Sequence, residues 1–215
     1  MTERAPTVHL VDDDASYLAA VARMLRAHGL AVRSFACAAA LLATVSRQTR
    51  GCVVADLRMP GTGGLELQDA LAEACPTLPI VFLSGNGDIP TTVRAMRGGA
   101  EDFLEKRCPH EQLVATVRRA LAREAAAWAE CARVQALRAE LDVLSERERE
   151  VLMHVVRGRM NKQIAAALDI HERTVKLHRT AITTKLKLRS AVELAGLVQA
   201  AGLLDEGTAH FPKGQ

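Results

Sequence analysis

No window of about 18 apolar residues occurs anywhere in this chain, so no segment is expected to cross a membrane. The opening MTERAPT carries acid and base and lacks the basic start, long apolar run and cleavage pattern of a secretory signal. A cytoplasmic protein is expected. Cysteine pairing is also missing: Cys37, Cys52, Cys75, Cys108 and Cys131 are odd in number, widely spaced and free of any C-x-x-C. That pattern excludes a disulfide frame and a cysteine zinc site, leaving reduced packing residues. Aromatic residues make up only 3% and alanine is abundant, the balance of a helix-rich chain.

Net charge is small, +3 over 215 residues, but unevenly placed. Residues 1–122 hold 13 bases and 13 acids, residues 123–143 three against four, and residues 144–215 twelve against eight. Within 151–190 nine bases face two acids. A neutral first half and a basic second half suggest two jobs, the second directed at a polyanion.

The first half alternates short β-branched runs with amphipathic stretches. Val8 to Val11, Val32 to Phe35, Cys52 to Ala55, Ile80 to Leu83 and Asp102 to Leu104 read as strands. Helices are expected over Ser16 to His28, Ala38 to Val45, Leu65 to Ala74, Thr91 to Arg97 and from about Pro109. Strand and helix in succession argue for a parallel sheet covered on both faces. From Glu111 to about Leu144 there is neither proline nor glycine, so the last of these helices should continue as a linker over 123–143. Val134, Leu137, Leu141 and Leu144 recur at spacings of three, four and three, which suits either a short coiled-coil contact or a helix packed on its own chain.

Beyond Leu144 the pattern becomes short helices. Ser145 with Glu148 and Ser190 with Glu193 form capping boxes, Gly158 is a stop, and Asn161 is positioned to cap a helix containing Ile164, Ala165 and Leu168. A turn over 169–172 leads to a helix with Val175, Ile182 and Leu186 inward and Lys176, Arg179 and Lys185 outward. Two short helices joined by a tight turn make a helix-turn-helix, whose second helix can enter the major groove. A solvated basic face on a helical bundle would look the same by charge alone. The glycine-rich polar tail, 204–215, reads as disordered.

In a parallel α/β sheet, functional groups collect at the carboxyl ends of the strands, at the crevice where chain order reverses. Asp12 and Asp13 follow the first strand and Asp56 ends the third, neighbours in the flavodoxin-like order 2-1-3-4-5. Converging carboxylates call for a hard divalent cation. The fourth strand ends in Ser84 and the fifth leads to Lys106, so a hydroxyl and an ammonium reach the same edge. Carboxylates, metal, hydroxyl and lysine together suit phosphoryl transfer.

VDDD, VVADLRMPGTGG, FLSGNGD and EDFLEK, in this order and spacing, resemble the receiver domain of bacterial two-component response regulators. The resemblance implies that Asp56 accepts a phosphoryl group from a sensor histidine kinase. It implies that Asp12, Asp13, Asp56 and the backbone carbonyl of Arg58 hold Mg²⁺, Asp12 through water. Lys106 would pair with Asp56 and then with a phosphoryl oxygen, Ser84 would donate to another, and Phe103 would rotate inward as the switch. The chain departs from the family at Arg107, where proline with a cis peptide usually aims the lysine. A cis bond before arginine costs about 3 kcal/mol, so a trans bond or stored strain is expected there. Pro109 instead suits a helix start.

LSEREREVL, GRMNKQIAAAL and RTVKLHRTAITTKL resemble the LuxR-type DNA-binding domain over 144–203. By that resemblance Lys176, Leu177 and Thr180 face base edges, while Lys162, Arg173, Thr174, Arg179 and Lys185 approach phosphates. His171 stands where the family commonly caps with serine. The last helix, with Leu194, Leu197 and Val198, would dimerise. The chain is thus similar to the NarL/FixJ response regulators, FixJ-like by its LRMPG and SGNGD. A flavodoxin-like (βα)5 receiver, residues 1–122, would be joined by a helical linker to an all-α four-helix domain. The implied function is phosphorylation-triggered homodimerisation and promoter binding, as an activator working with RNA polymerase. The alternative is a receiver switched by partner binding without phosphate. A haloacid-dehalogenase-type phosphohydrolase needs a second acid two residues after the nucleophile, where this chain has Arg58. A small-ligand quorum regulator is incompatible with a receiver-like first half.

Overall fold

A computed structural model describes residues 5–85, 89–188 and 190–203, so the expected disordered tail lies outside the described residues. Two compact units divide at Trp128 and Ala129.

The first unit is a five-stranded parallel sheet of order β2-β1-β3-β4-β5, formed by β1 Thr7–Val11, β2 Val32–Phe35, β3 Gly51–Asp56, β4 Ile80–Ser84 and β5 Asp102–Glu105. Between them run α1 Ala15–Ala27, α2 Ala38–Leu42, α3 Gly64–Ala74 and α4 Ile89–Arg97, and α5 His110–Leu141 follows. Because strand side chains alternate, Val8, Leu10, Cys52, Val54, Val81 and Leu83 pack with Val21, Leu25, Leu113 and Val117 of α1 and α5. Val11, Val53, Ala55 and Phe82 pack with Leu41, Leu67, Leu71 and Ala95 of α2, α3 and α4. Burial on both faces explains why β3 and β4 read as continuous apolar runs.

Entry into β3 depends on Gly51, at φ +124°, where a Cβ would stand 1.8 Å from the Thr7 carbonyl oxygen. Only glycine allows β1 and β3 to pair in this register there. The helix after β2 is shorter than its sequence suggests, ending at Leu42, and α4 begins two residues early, at Ile89. Asp14 caps α1 by accepting from the amides of Ser16 and Tyr17.

The second unit contains α6 Glu146–Val156, α7 Asn161–Leu168, α8 Glu172–Leu186 and α9 Ala191–Ala200. Both expected capping boxes form, at Ser145 with Glu148 and at Ser190 with Glu193. Asn161 does not cap α7: Met160 occupies that position, its amide donating to Gln163 Oε1, and Asn161 is the first helical residue. Asp169, in the left-handed region at φ 51°, turns the chain toward α8. Leu141, Leu144, Val151, Leu152, Ile164, Val175 and Ile182 share one core, with Leu137 packed against it. Of the two readings of the 134–144 repeat, this burial favours packing within the chain.

Candidate functional site

Asp12 directly follows β1, Asp56 ends β3, Ser84 ends β4 and Lys106 directly follows β5, so the parallel sheet brings all four to one edge. Carboxylate oxygens of Asp12, Asp13 and Asp56 lie within 4.8 Å of one another. Asp12 and Asp56 are buried at 1% and 8% exposure, while Asp13 is open to solvent. Lys106 Nζ bridges the buried pair at 2.7 Å from Asp12 Oδ2 and 2.7 Å from Asp56 Oδ2. Burial opposes its charge, but the hydrogen bonds and field of both carboxylates outweigh that and raise its pKa above the ordinary lysine value.

No cis peptide occurs among the described residues. Lys106 therefore reaches both carboxylates from a trans Lys106-Arg107 peptide, with its amide donating to the Ser84 carbonyl at 2.9 Å. Ser84 is 1% exposed. Phe103 is half-buried, its ring 6.4 Å from that of Phe82. The Arg58 amide donates to Asp56 Oδ1 at 3.2 Å, which orients the carboxylate from the loop after β3. The donor set, oxygens only and rich in carboxylate, fits Mg²⁺ by chemistry.

One residue at this edge was missed by the sequence reading. Tyr17, the chain's single tyrosine, sits in the first turn of α1 with its ring centroid 4.6 Å from Lys106 Nζ. Its hydroxyl donates to the Lys106 carbonyl at 3.4 Å. Burial, opposed by the nearby ammonium, pushes the phenol up to about 12, so it stays protonated.

In the second unit α7, the turn at Asp169 and α8 form the expected helix-turn-helix. Lys162, Arg173, Lys176, Leu177 and Thr180 are exposed, and Thr174 is half-buried. Leu177 is 64% exposed, unusual for a leucine and suited to apolar contact with a base. The spacing of 173, 176, 177 and 180 places these side chains on one helix face. Two other basic residues hold the fold together. Arg179 Nη1 donates to Asn161 Oδ1 at 3.0 Å, tying α8 to α7. Lys185 Nζ donates to Glu148 Oε2 at 2.7 Å, tying α8 to α6, and Glu148 is 6% exposed.

The three α9 residues expected to dimerise pack within the unit. Leu194 and Val198 are 4% and 0% exposed and belong to the unit's own core, with Leu197 packed against it. Helical periodicity turns these inward; α9 presents Val192, at 81% exposure, to solvent.

An α/β unit with an acidic pocket and strand-end lysine, followed by a helix-turn-helix unit, defines a signal-receiving DNA-binding protein. Residues 8–118 match the response regulator receiver domain, and residues 142–198 match the bacterial regulatory proteins of the luxR family. The chain belongs to the two-component response regulators that join these two domains, and is a transcriptional regulator of the FixJ-like group. It is similar to the response regulator protein TodT of Pseudomonas putida, with 40% identity over 199 residues covering 93% of this chain and 88% of that protein. It is equally similar to the transcriptional regulatory protein FixJ of Rhizobium meliloti, 40% over 196 residues covering 91% and 96%. Among solved structures, the response regulator StyR matches with TM-score 0.74 and 41% identity over 90% of this chain and 98% of its own. Full-length FixJ from B. japonicum matches with TM-score 0.55 and 35% identity over 93% and 98%.

Proposed function

We propose that Asp56 is the phosphoacceptor of a sensor histidine kinase and that its phosphorylation drives dimerisation and promoter binding. The observation that carries this is Lys106 Nζ, 2.7 Å from both Asp12 and Asp56 beside the third carboxylate. An Asp56 oxygen forms a bond to phosphorus as the P–N bond to the donor histidine breaks. The electron pair leaves with the imidazole nitrogen, which takes a proton from water. Lys106 then exchanges a carboxylate for a phosphoryl oxygen, and the Ser84 hydroxyl donates to a second. Rotation of Phe103 toward Ser84 would couple this to the surface of α4, β5 and α5.

Asp12, Asp13, Asp56 and the Arg58 carbonyl would hold Mg²⁺, which supplies charge neutralisation of the phosphoryl oxygens. The rival reading, a switch thrown by partner binding alone, drew on the missing proline after Lys106. The lysine reaches both carboxylates without it, which supports the phosphoswitch reading.

On the DNA side, Lys176, Leu177 and Thr180 face base edges, and Lys162, Arg173 and Thr174 approach phosphates. Arg179 and Lys185 join them at the rim while bracing α8. Homodimerisation uses the outward face of α9 around Val192. The protein acts in the cytoplasm as an activator, in contact with RNA polymerase. The division into a receiver over 1–122, a linker over 123–143 and a DNA-binding domain over 144–203 follows this assignment.

A small phosphodonor with Mg²⁺ should label the parent and raise its affinity for promoter DNA. Asp56→Asn should do neither. Equal labelling and binding by that variant would overturn the phosphoswitch.

A further inference from the structure

We propose that Tyr17 is a positioning residue for Lys106, holding the ammonium at the phosphoacceptor edge through the face of its ring; this rests on the assignment of Asp56 above. Lys106 is a flexible side chain on a loop that leaves β5 through an ordinary trans peptide. Among the described residues its ammonium touches two kinds of group: the carboxylates of Asp12 and Asp56 at 2.7 Å, and the Tyr17 ring at 4.6 Å from the centroid. The carboxylate contact changes during the reaction, because Asp56 loses its charge on bonding to phosphorus. The ring does not change. Its negative face attracts the ammonium equally before and after transfer, so it can keep Lys106 at the edge while the partner oxygen is exchanged.

The hydroxyl contributes less. At 3.4 Å its contact with the Lys106 carbonyl is longer than a normal O–H···O bond. One side of Tyr17 packs against the core shared by α1 and α5, but the residue is not enclosed there. Tyr17 instead is half-buried and lines a cavity of about 390 Å³ shared with Arg23, Lys106, Cys108 and His110. Space on that side also means that a leucine at this position can be accommodated.

The test uses full-length protein, acetyl phosphate and Mg²⁺, with the initial labelling rate measured across donor concentrations. Tyr17→Leu should lower the maximal rate about tenfold and leave half-saturation unchanged, because the ring acts on the lysine and not on donor binding. Tyr17→Phe, which keeps the ring, should retain at least about a third of the parent rate. In a Lys106→Ala background, Tyr17→Leu should have no further effect, since the residue acts through the lysine. An unchanged rate in Tyr17→Leu, or the same loss with and without Lys106, would overturn the proposal. Failure of the parent to accept phosphate would sink the Asp56 assignment instead. In that case the Lys106 ε-methylene proton signals decide separately. They should be shifted upfield by the ring in the parent and move downfield in Tyr17→Leu, and signals that stay in place would refute the contact.

Discussion

Glu124 shows what a single side chain can carry here. It lies in α5 at 1% exposure, paired with Arg50, whose guanidinium also stacks 4.6 Å over the Trp128 ring. The Arg50 side chain is itself only 11% exposed. Removing one member of such a pair leaves a buried charge without compensation, at a typical cost of about 3–5 kcal/mol. Glu124→Ala should therefore shift the urea midpoint of the receiver unit strongly downward, and Trp128, the chain's one tryptophan, supplies the fluorescence signal. The outcome separates this pair from the exposed Arg133–Glu130 bridge, where solvent screens the charges and Glu130→Ala should leave the midpoint nearly unchanged. Residues at the acidic edge of the sheet were legible beforehand because each abuts a strand end, which sequence periodicity marks. Tyr17 was not, because its value comes from Lys106, 89 residues away.

At the scale of elements, α3 starts closer to β3 than any side chain permits. A Cβ on Gly64 would stand 2.8 Å from the Asp56 carbonyl oxygen and 2.9 Å from both Leu57 Cα and a Phe82 ring carbon. Gly64→Ala should displace the end of β3, costing about 1–3 kcal/mol by overpacking and slowing phosphorylation of Asp56. Chemical denaturation and the labelling assay measure the two effects. In the second unit the face of α8 carrying Lys176 and Leu177 is held by bonds at both ends, through Asn161 and Glu148. Lys176→Ala should reduce discrimination between cognate and altered sites by about 1–3 kcal/mol per lost base contact while leaving the fold intact. Binding titrations against a panel of single-base variants provide the measurement, and an unchanged preference would remove Lys176 as a base reader. Helix bodies were readable from apolar spacing, whereas ends were read less well. Asn161 was expected as a cap, but the Met160 amide donating to the Gln163 side-chain Oε1 fixes the start of α7 instead.

At the scale of the whole molecule, each unit contains a histidine that resists protonation. Burial lowers the pKa of His9 in β1, with Arg33 adding to it against the Arg50 carbonyl. Burial likewise lowers that of His154 in α6, helped by Arg159 and Arg157. In the unfolded chain both titrate near about 6.5. Above that value both states are neutral and the full stability is present. As pH falls below it, the unfolded state binds protons first, and stability declines toward the lowered folded pKa values. Both units should therefore lose stability as pH falls below about 6.5, and His9→Gln should flatten the dependence in the receiver unit alone. Urea midpoints taken across this range check the sign.

The sequence by itself determined the order of strands and helices, the parallel sheet, the two-unit plan and the residues at the carboxyl edge. These follow from local periodicity, breaker residues and strand ends, which a chain displays without being folded. Only the tertiary structure decided which groups pair across the chain: Lys106 with Tyr17, Arg50 with Glu124, Lys185 with Glu148. It also decided which apolar face of α9 is turned inward, consigning Leu194 and Val198 to the core and leaving Val192 outside. The reason is physical. A helical repeat shows that an apolar face exists, but what covers it depends on residues brought near by the fold, and their distance along the chain carries no trace of that meeting.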